Sequence, residues 1–138
     1  MSATDLEDLV KSLQPSQIAP PFARYSHGVE IPIGMRIVRT AGQLGMAQDG
    51  SVPDTAEAQA NICFANIQAI LAEAQMSAKD VCHVSAYVTD RIHFAGYMKA
   101  RDAFVQGARV LPSSTLLIVS GFTRPEYLVE VEVWAAAR

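Results

Sequence analysis

Glu130 and Glu132 stand two residues apart in Leu128-Val129-Glu130-Val131-Glu132-Val133. On a strand this spacing puts both carboxyls on one face, with Cα atoms roughly 7 Å apart. Paired carboxyls can divide the work of acid and base. Leu128 and Trp134 share that face. Apolar neighbours under a cover would desolvate a carboxyl, raise its pKa and let it hold a proton near neutrality. The plainer alternative is a solvated pair on an exposed sheet face. Cys82 and His83 are adjacent, but consecutive strand residues point to opposite faces and cannot form a thiolate–imidazole pair. Both read as separate structural residues. Ser113-Ser114-Thr115, after Pro112, offers three hydroxyls at the start of a strand, where such groups commonly satisfy free backbone atoms. Gly42-Gln43-Leu44-Gly45 opens no helix and is a poor phosphate loop. It suits a strand end that approaches a neighbouring backbone or a ligand. The sequence contains no CxxC, HExxH, GxxxxGK[ST] or GxSxG, so zinc, P-loop and α/β-hydrolase chemistries have no residues to stand on.

The elements that must position these residues follow from periodicity. Thr4-Asp5-Leu6-Glu7 has the form of a capping box, and Leu6, Leu9, Val10 and Leu13 recur at helical spacing up to Pro15, which predicts a short N-terminal helix within residues 1–18. Strands are expected over Phe22–Val29 and Met35–Ala41, with Gly28, Pro32 and Gly34 placing a hairpin turn between them. Asp54 is a suitable N-cap for a helix over about Thr55–Gln75, where Ala56, Ala60, Cys63, Ile67, Leu71 and Ala74 form an apolar stripe. Cys63 there reads as a core residue. A strand over Val81–Val88 turns Cys82, Val84, Ala86 and Val88 to one face. Asp90 then caps a second helix with Phe94, Tyr97, Met98, Arg101, Phe104 and Val105 on one side. The apolar run Ser114–Val119 predicts a central strand covered on both faces. In the last strand Val129, Val131 and Val133 oppose Leu128, Glu130, Glu132 and Trp134.

The order β-β-α-β-α-β-β implies an α+β (α/β) sheet with two helices on one face, all of residues 1–138 forming one domain. The other sheet face then needs a cover, and self-association supplies one. Of 138 residues, half are hydrophobic, enough for a substantial core, and the net charge of −3 disfavours nucleic acid as a partner. Two cysteines are too few for a disulfide framework, and the acidic N-terminus lacks the form of a secretory signal. A cytoplasmic protein without a membrane-spanning segment is expected.

Ala41-Gly42-Gln43, the long helix, Tyr87-Val88-Thr89-Asp90, Phe94-Ala95, Leu111-Pro112-Ser113-Ser114-Thr115 and Leu128–Val133 together resemble the YjgF/RidA family of reactive-intermediate deaminases. The resemblance covers about residues 19–138. It implies a chorismate-mutase-like fold, a homotrimer around a central β-barrel, and a small-molecule cleft between subunits with no cofactor or metal. In the deaminase branch an arginine grips the carboxylate of a 2-imino acid, and a glutamate helps water hydrolyse the imine to a keto acid and ammonia. By position that glutamate matches Glu130 and the cleft tyrosine matches Tyr25. A strand-end serine-glycine pair matches Ala41 and Gly42.

The departures are as informative. The carboxylate-gripping arginine matches Ser114, a pocket asparagine matches Met98, and a pocket cysteine matches Leu116. A charged hydrogen bond of this kind contributes about 1.5–3 kcal/mol, one to two orders of magnitude in affinity. Either the substrate is not a simple 2-imino acid, or Arg24, Arg101 or Arg109 supplies another cation. The resemblance therefore implies action on a small imine, enamine or related carbonyl compound by water-dependent deamination. A non-catalytic binding or holdase-like trimer is the rival class, and the charge balance disfavours an endoribonuclease.

Overall fold

The computed structural model describes residues 9–138. Its elements are β1 (Lys11–Leu13), β2 (Gly28–Glu30), β3 (Arg36–Arg39), β4 (Gln43–Leu44), α1 (Ala56–Ala72), β5 (Val81–Val88), α2 (Phe94–Val105), β6 (Ser113–Ile118) and β7 (Val129–Ala137). The main sheet has the order β3-β7-β5-β6, with β4 also paired to β7. β7 runs antiparallel to β3, β4 and β5. β6 is parallel to β5, as its crossover through α2 requires.

Alternation along β5 and β7 builds the core. Val84, Ala86 and Val88 meet Val129, Val131, Val133 and Ala135 on one sheet face, and Cys63, Ile67, Leu71, Tyr97 and Phe104 of the two helices cover them. Phe64 of α1 stacks on Phe104 of α2 with ring centroids 4.5 Å apart. The architecture is the mixed α+β fold, two helices on one sheet face, that the resemblance implies. α1 is capped by Thr55, one residue later than Asp54: the Thr55 hydroxyl accepts from the Ala58 N–H at 3.2 Å. Asp90 does cap, but it caps a 3-10 turn over Arg91–His93 that leads into α2.

Three expectations fail. Of the N-terminal helix, residues 1–8 lie outside those described, and Lys11–Leu13 is a strand paired with β2. The predicted hairpin does not form. Pro32 to Met35 does make a turn, with Gly34 at φ 88°, but β2 pairs with β1 while β3 lies along β7. Of Phe22–Val29, only Gly28 and Val29 are strand. Lastly, β6 is an edge strand. β7 already occupies one side of β5, so the parallel crossover can add only on the other. The apolar run leaves Leu117 and Ile118 half exposed on that edge.

Candidate functional site

The sequence-predicted residues fall into two groups. Tyr25, Met98, Ser114 and Leu116 line one cavity of about 310 Å³, together with Phe22, Ala23, Phe94, Arg101 and Thr115. Ala41, Gly42 and Glu130 lie at the β4 end of β7, outside that lining.

The first group is assembled by long-range bonds. The Ser26 backbone N–H donates to Pro112 O at 3.0 Å, and its buried hydroxyl donates to Leu111 O at 2.6 Å. This holds the segment through Tyr25 against the start of β6. Phe22 meets the Tyr25 ring edge-on, 5.6 Å between centroids. From the other side α2 presents Phe94, Met98 and Arg101, at the helical spacings that put residues on one face. The cavity is therefore apolar and aromatic with one cation.

That cation is Arg101. Its side chain is only 3% exposed, its Nη1 donates to the Ser114 hydroxyl at 3.3 Å, and its Nη2 donates to the Asp102 carboxylate at 3.0 Å. The buried Nε has no hydrogen-bond partner among the described residues. Of the three candidate arginines the structure brings only this one to the cavity. Arg24 is exposed between two lining residues without joining them. Arg109 points to Asp80, 3.8 Å away. A sequence signal for Arg101 existed: it is a cation on the apolar side of its helix, where burial demands partners. Phe22 and Phe94 are further lining residues, to neither of which the resemblance assigned a place in the pocket.

The second group depends on an interruption between β3 and β4. Both strands lie along β7, and Thr40 bridges the gap: its N–H donates to Val133 O at 3.0 Å and its hydroxyl accepts from the Val133 N–H at 3.1 Å. The chain at Gly42 then passes so close to Glu130 that a Cβ there would stand 2.7 Å from Glu130 Cδ. Burial first, and the charge of Glu132 second, hold the Glu130 carboxyl above the ordinary carboxylate range. Glu132 in turn accepts from the Tyr87 hydroxyl at 2.8 Å, a bond that pushes the Tyr87 pKa up. One carboxyl of the pair is engaged by a hydroxyl, while the other has its pKa raised.

Gln59 is a structural residue the sequence reading missed. It is buried on α1, its amide nitrogen donates to Pro53 O at 2.9 Å and Glu126 O at 2.8 Å, and its amide oxygen accepts from the Leu128 N–H at 2.8 Å. It thereby anchors the loop that delivers Glu130. Cys82 and His83 do point apart: the Cys82 thiol donates to Trp134 O, while both His83 ring nitrogens meet serine hydroxyls, Ser113 and Ser85. Burial pushes the Cys63 thiol up to about 12, which leaves no thiolate nucleophile there. Among the described residues no group of three or more His, Cys, Asp or Glu could hold a metal, and no helix is long and apolar enough to cross a membrane.

Comparison with known proteins shows the family and the fold. No curated protein matches the chain. Among solved structures, YyfB from Yersinia pestis, described as a protein of unknown function of the conserved Rid family, is similar at 26% identity and TM-score 0.80, over 91% of this chain and 97% of its own. E. coli TdcF, solved with bound serine, is similar at 25% identity and TM-score 0.68, over 93% and 99%. The E. coli YjgF gene product shares the fold at 23% identity and TM-score 0.69, over 93% and 99%. A family model described as Endoribonuclease L-PSP matches residues 16–137. The chain belongs to this family, the YjgF/RidA family that its sequence resembles.

Proposed function

We propose that this protein deaminates a small imine, enamine or related carbonyl compound by hydrolysis, in a cleft completed by a neighbouring copy in a homotrimer. Membership of the Rid family supports a general role in small-molecule metabolite processing. The observation that carries the finer reading is the poised carboxyl of Glu130, packed on Gly42 and raised in pKa by burial and by Glu132. Glu130 lies apart from the cavity of its own chain, so each chain holds two half-sites. Pairing the cavity of one copy with Glu130 of the next brings a binding pocket and a proton carrier together. The half-exposed edge of β6 and the exposed Ile37 and Trp134 are surfaces such an assembly would cover. TdcF, solved with bound serine, shows that a similar chain holds a small amino acid.

In the reaction, water adds to the C=N carbon, and Glu130 takes the proton that water loses and passes it to nitrogen. Collapse of the adduct breaks the C–N bond, giving a carbonyl product and ammonia, so that one water is consumed and the carboxylate is regenerated. Ser114 in place of a strand arginine argues against a simple 2-imino acid as substrate. A binding-only trimer is the second reading, favoured by the apolar lining that Met98 and Leu116 give the cavity. The test is release of carbonyl product from enzymatically generated imines and enamines, wild type against Glu130→Gln. Turnover that Glu130→Gln lowers at least tenfold supports hydrolysis. Absence of turnover across the panel, with ligands still bound, favours the binding-only reading.

A further inference from the structure

We propose that Arg101 is an anion-binding, specificity-determining residue, and that the ligand of this cavity is a small monocarboxylate with an apolar body. This rests on the cavity being the ligand site of the reading above. A guanidinium has five N–H donors in a fixed fork. At 3% exposure Arg101 has lost nearly all its hydration, yet only two bonds replace it, to the Ser114 hydroxyl and to the Asp102 carboxylate. Nε is buried with no partner among the described residues. A buried charge is stable only when paired and fully hydrogen-bonded. Asp102, itself 43% exposed, is shared with solvent. The remaining need is for an anion with two acceptor oxygens, which a carboxylate meets in the bidentate geometry arginine favours.

The rest of the cavity fixes what the carboxylate is attached to. Phe22, Phe94, Met98 and Leu116 give it a mainly apolar lining, with the hydroxyl-bearing Tyr25 and Thr115 the other polar residues besides Arg101 and Ser114. About 310 Å³ admits an aliphatic or aromatic body of several carbons. Arg101 Nη1 reaches the Ser114 hydroxyl, so the charge that the carboxylate meets comes from α2 and not from β6.

Calorimetric titration with hexanoate and with its neutral isostere hexanamide tests this. Wild type is expected to bind hexanoate at least tenfold more tightly than hexanamide. Arg101→Met should abolish that preference, and Arg101→Lys should keep part of it. Asp102→Asn, which removes the internal competitor, should tighten hexanoate several-fold without changing hexanamide. A residue that merely ties α2 to β6 predicts no such gain, so this arm decides even if Arg101→Met fails to fold. Equal affinity for acid and amide, no hexanoate binding at millimolar concentration, or looser hexanoate binding by Asp102→Asn overturns the proposal. If Glu130→Gln leaves turnover unchanged, the hydrolytic reading falls while the carboxylate site stands.

Discussion

Gly42 and Glu130 are in contact at a distance that admits a side chain at position 42 only if the carboxyl moves: a Cβ would stand 2.7 Å from Glu130 Cδ and 2.8 Å from its Oε2. The atoms in the way belong to the far end of a flexible side chain. Gly42→Ala should therefore swing the carboxyl aside at little cost in stability, within about 1 kcal/mol, since Gly42 is not at positive φ. Turnover should fall at least tenfold through lost positioning. Denaturant midpoints and carbonyl release measured on the same preparation check this; unchanged turnover would mean that Glu130 does not act where Gly42 holds it.

The raised Glu130 carboxyl fixes the sign of two pH effects. Its folded-state pKa lies above the ordinary 4.5, so folding takes up a proton. The stability linked to it is fully present below about 4.5 and is lost as pH rises through the raised value. Glu130→Gln should match wild type in acid and exceed it increasingly toward neutrality. The acid limb of turnover, where Glu130 must ionise to accept a proton, should move to lower pH in Glu132→Gln, because one neighbouring negative charge is gone. Denaturation and rate profiles between about pH 4 and 8 measure both.

Gln59→Leu should cost about 2 kcal/mol or more, because it leaves the Leu128 N–H and the Pro53 and Glu126 carbonyls without their partner. Gly45→Ala should destabilise through the same contact: its Cβ would lie 2.7 Å from the Gln59 Cα, a backbone atom that cannot move aside. Urea unfolding of the two variants and of their combination should show non-additive losses.

Introducing arginine at 114 looks from the sequence like the repair of a missing clamp. With Arg101 Nη1 already 3.3 Å from the Ser114 hydroxyl, Ser114→Arg alone would set two guanidinium groups together in a poorly solvated cavity. The expected result is a lower denaturant midpoint and no gain in 2-keto acid affinity. Ser114→Arg combined with Arg101→Met should recover stability and bind 2-keto acids. Calorimetry on the single and double variants separates the two outcomes.

Light scattering should give about three times 14.9 kDa, and Trp134→Glu should yield a smaller particle, because a new charge on an exposed aromatic opposes its burial. A wild-type monomer at micromolar concentration would remove the shared cleft.

Period-two and period-3.6 patterns gave the inner and outer faces of β5 and β7 and the buried stripe of α1. They also separated Cys82 from His83. These are local properties, fixed by backbone geometry within one element. Partnership is different, since it depends on which strand edge is still free when elements meet. For this reason β3 could lie along β7 instead of β2, and the apolar β6 could end at an edge. The same limit applied to the site. Residue type and position offered Arg24, Arg101 and Arg109, with the apolar side of α2 favouring Arg101, and only the crossing of α2 over the start of β6 put its guanidinium beside Ser114. Gly42 against Glu130, and Gln59 under the loop before β7, are likewise meetings of segments tens of residues apart, set by how the chain closes on itself.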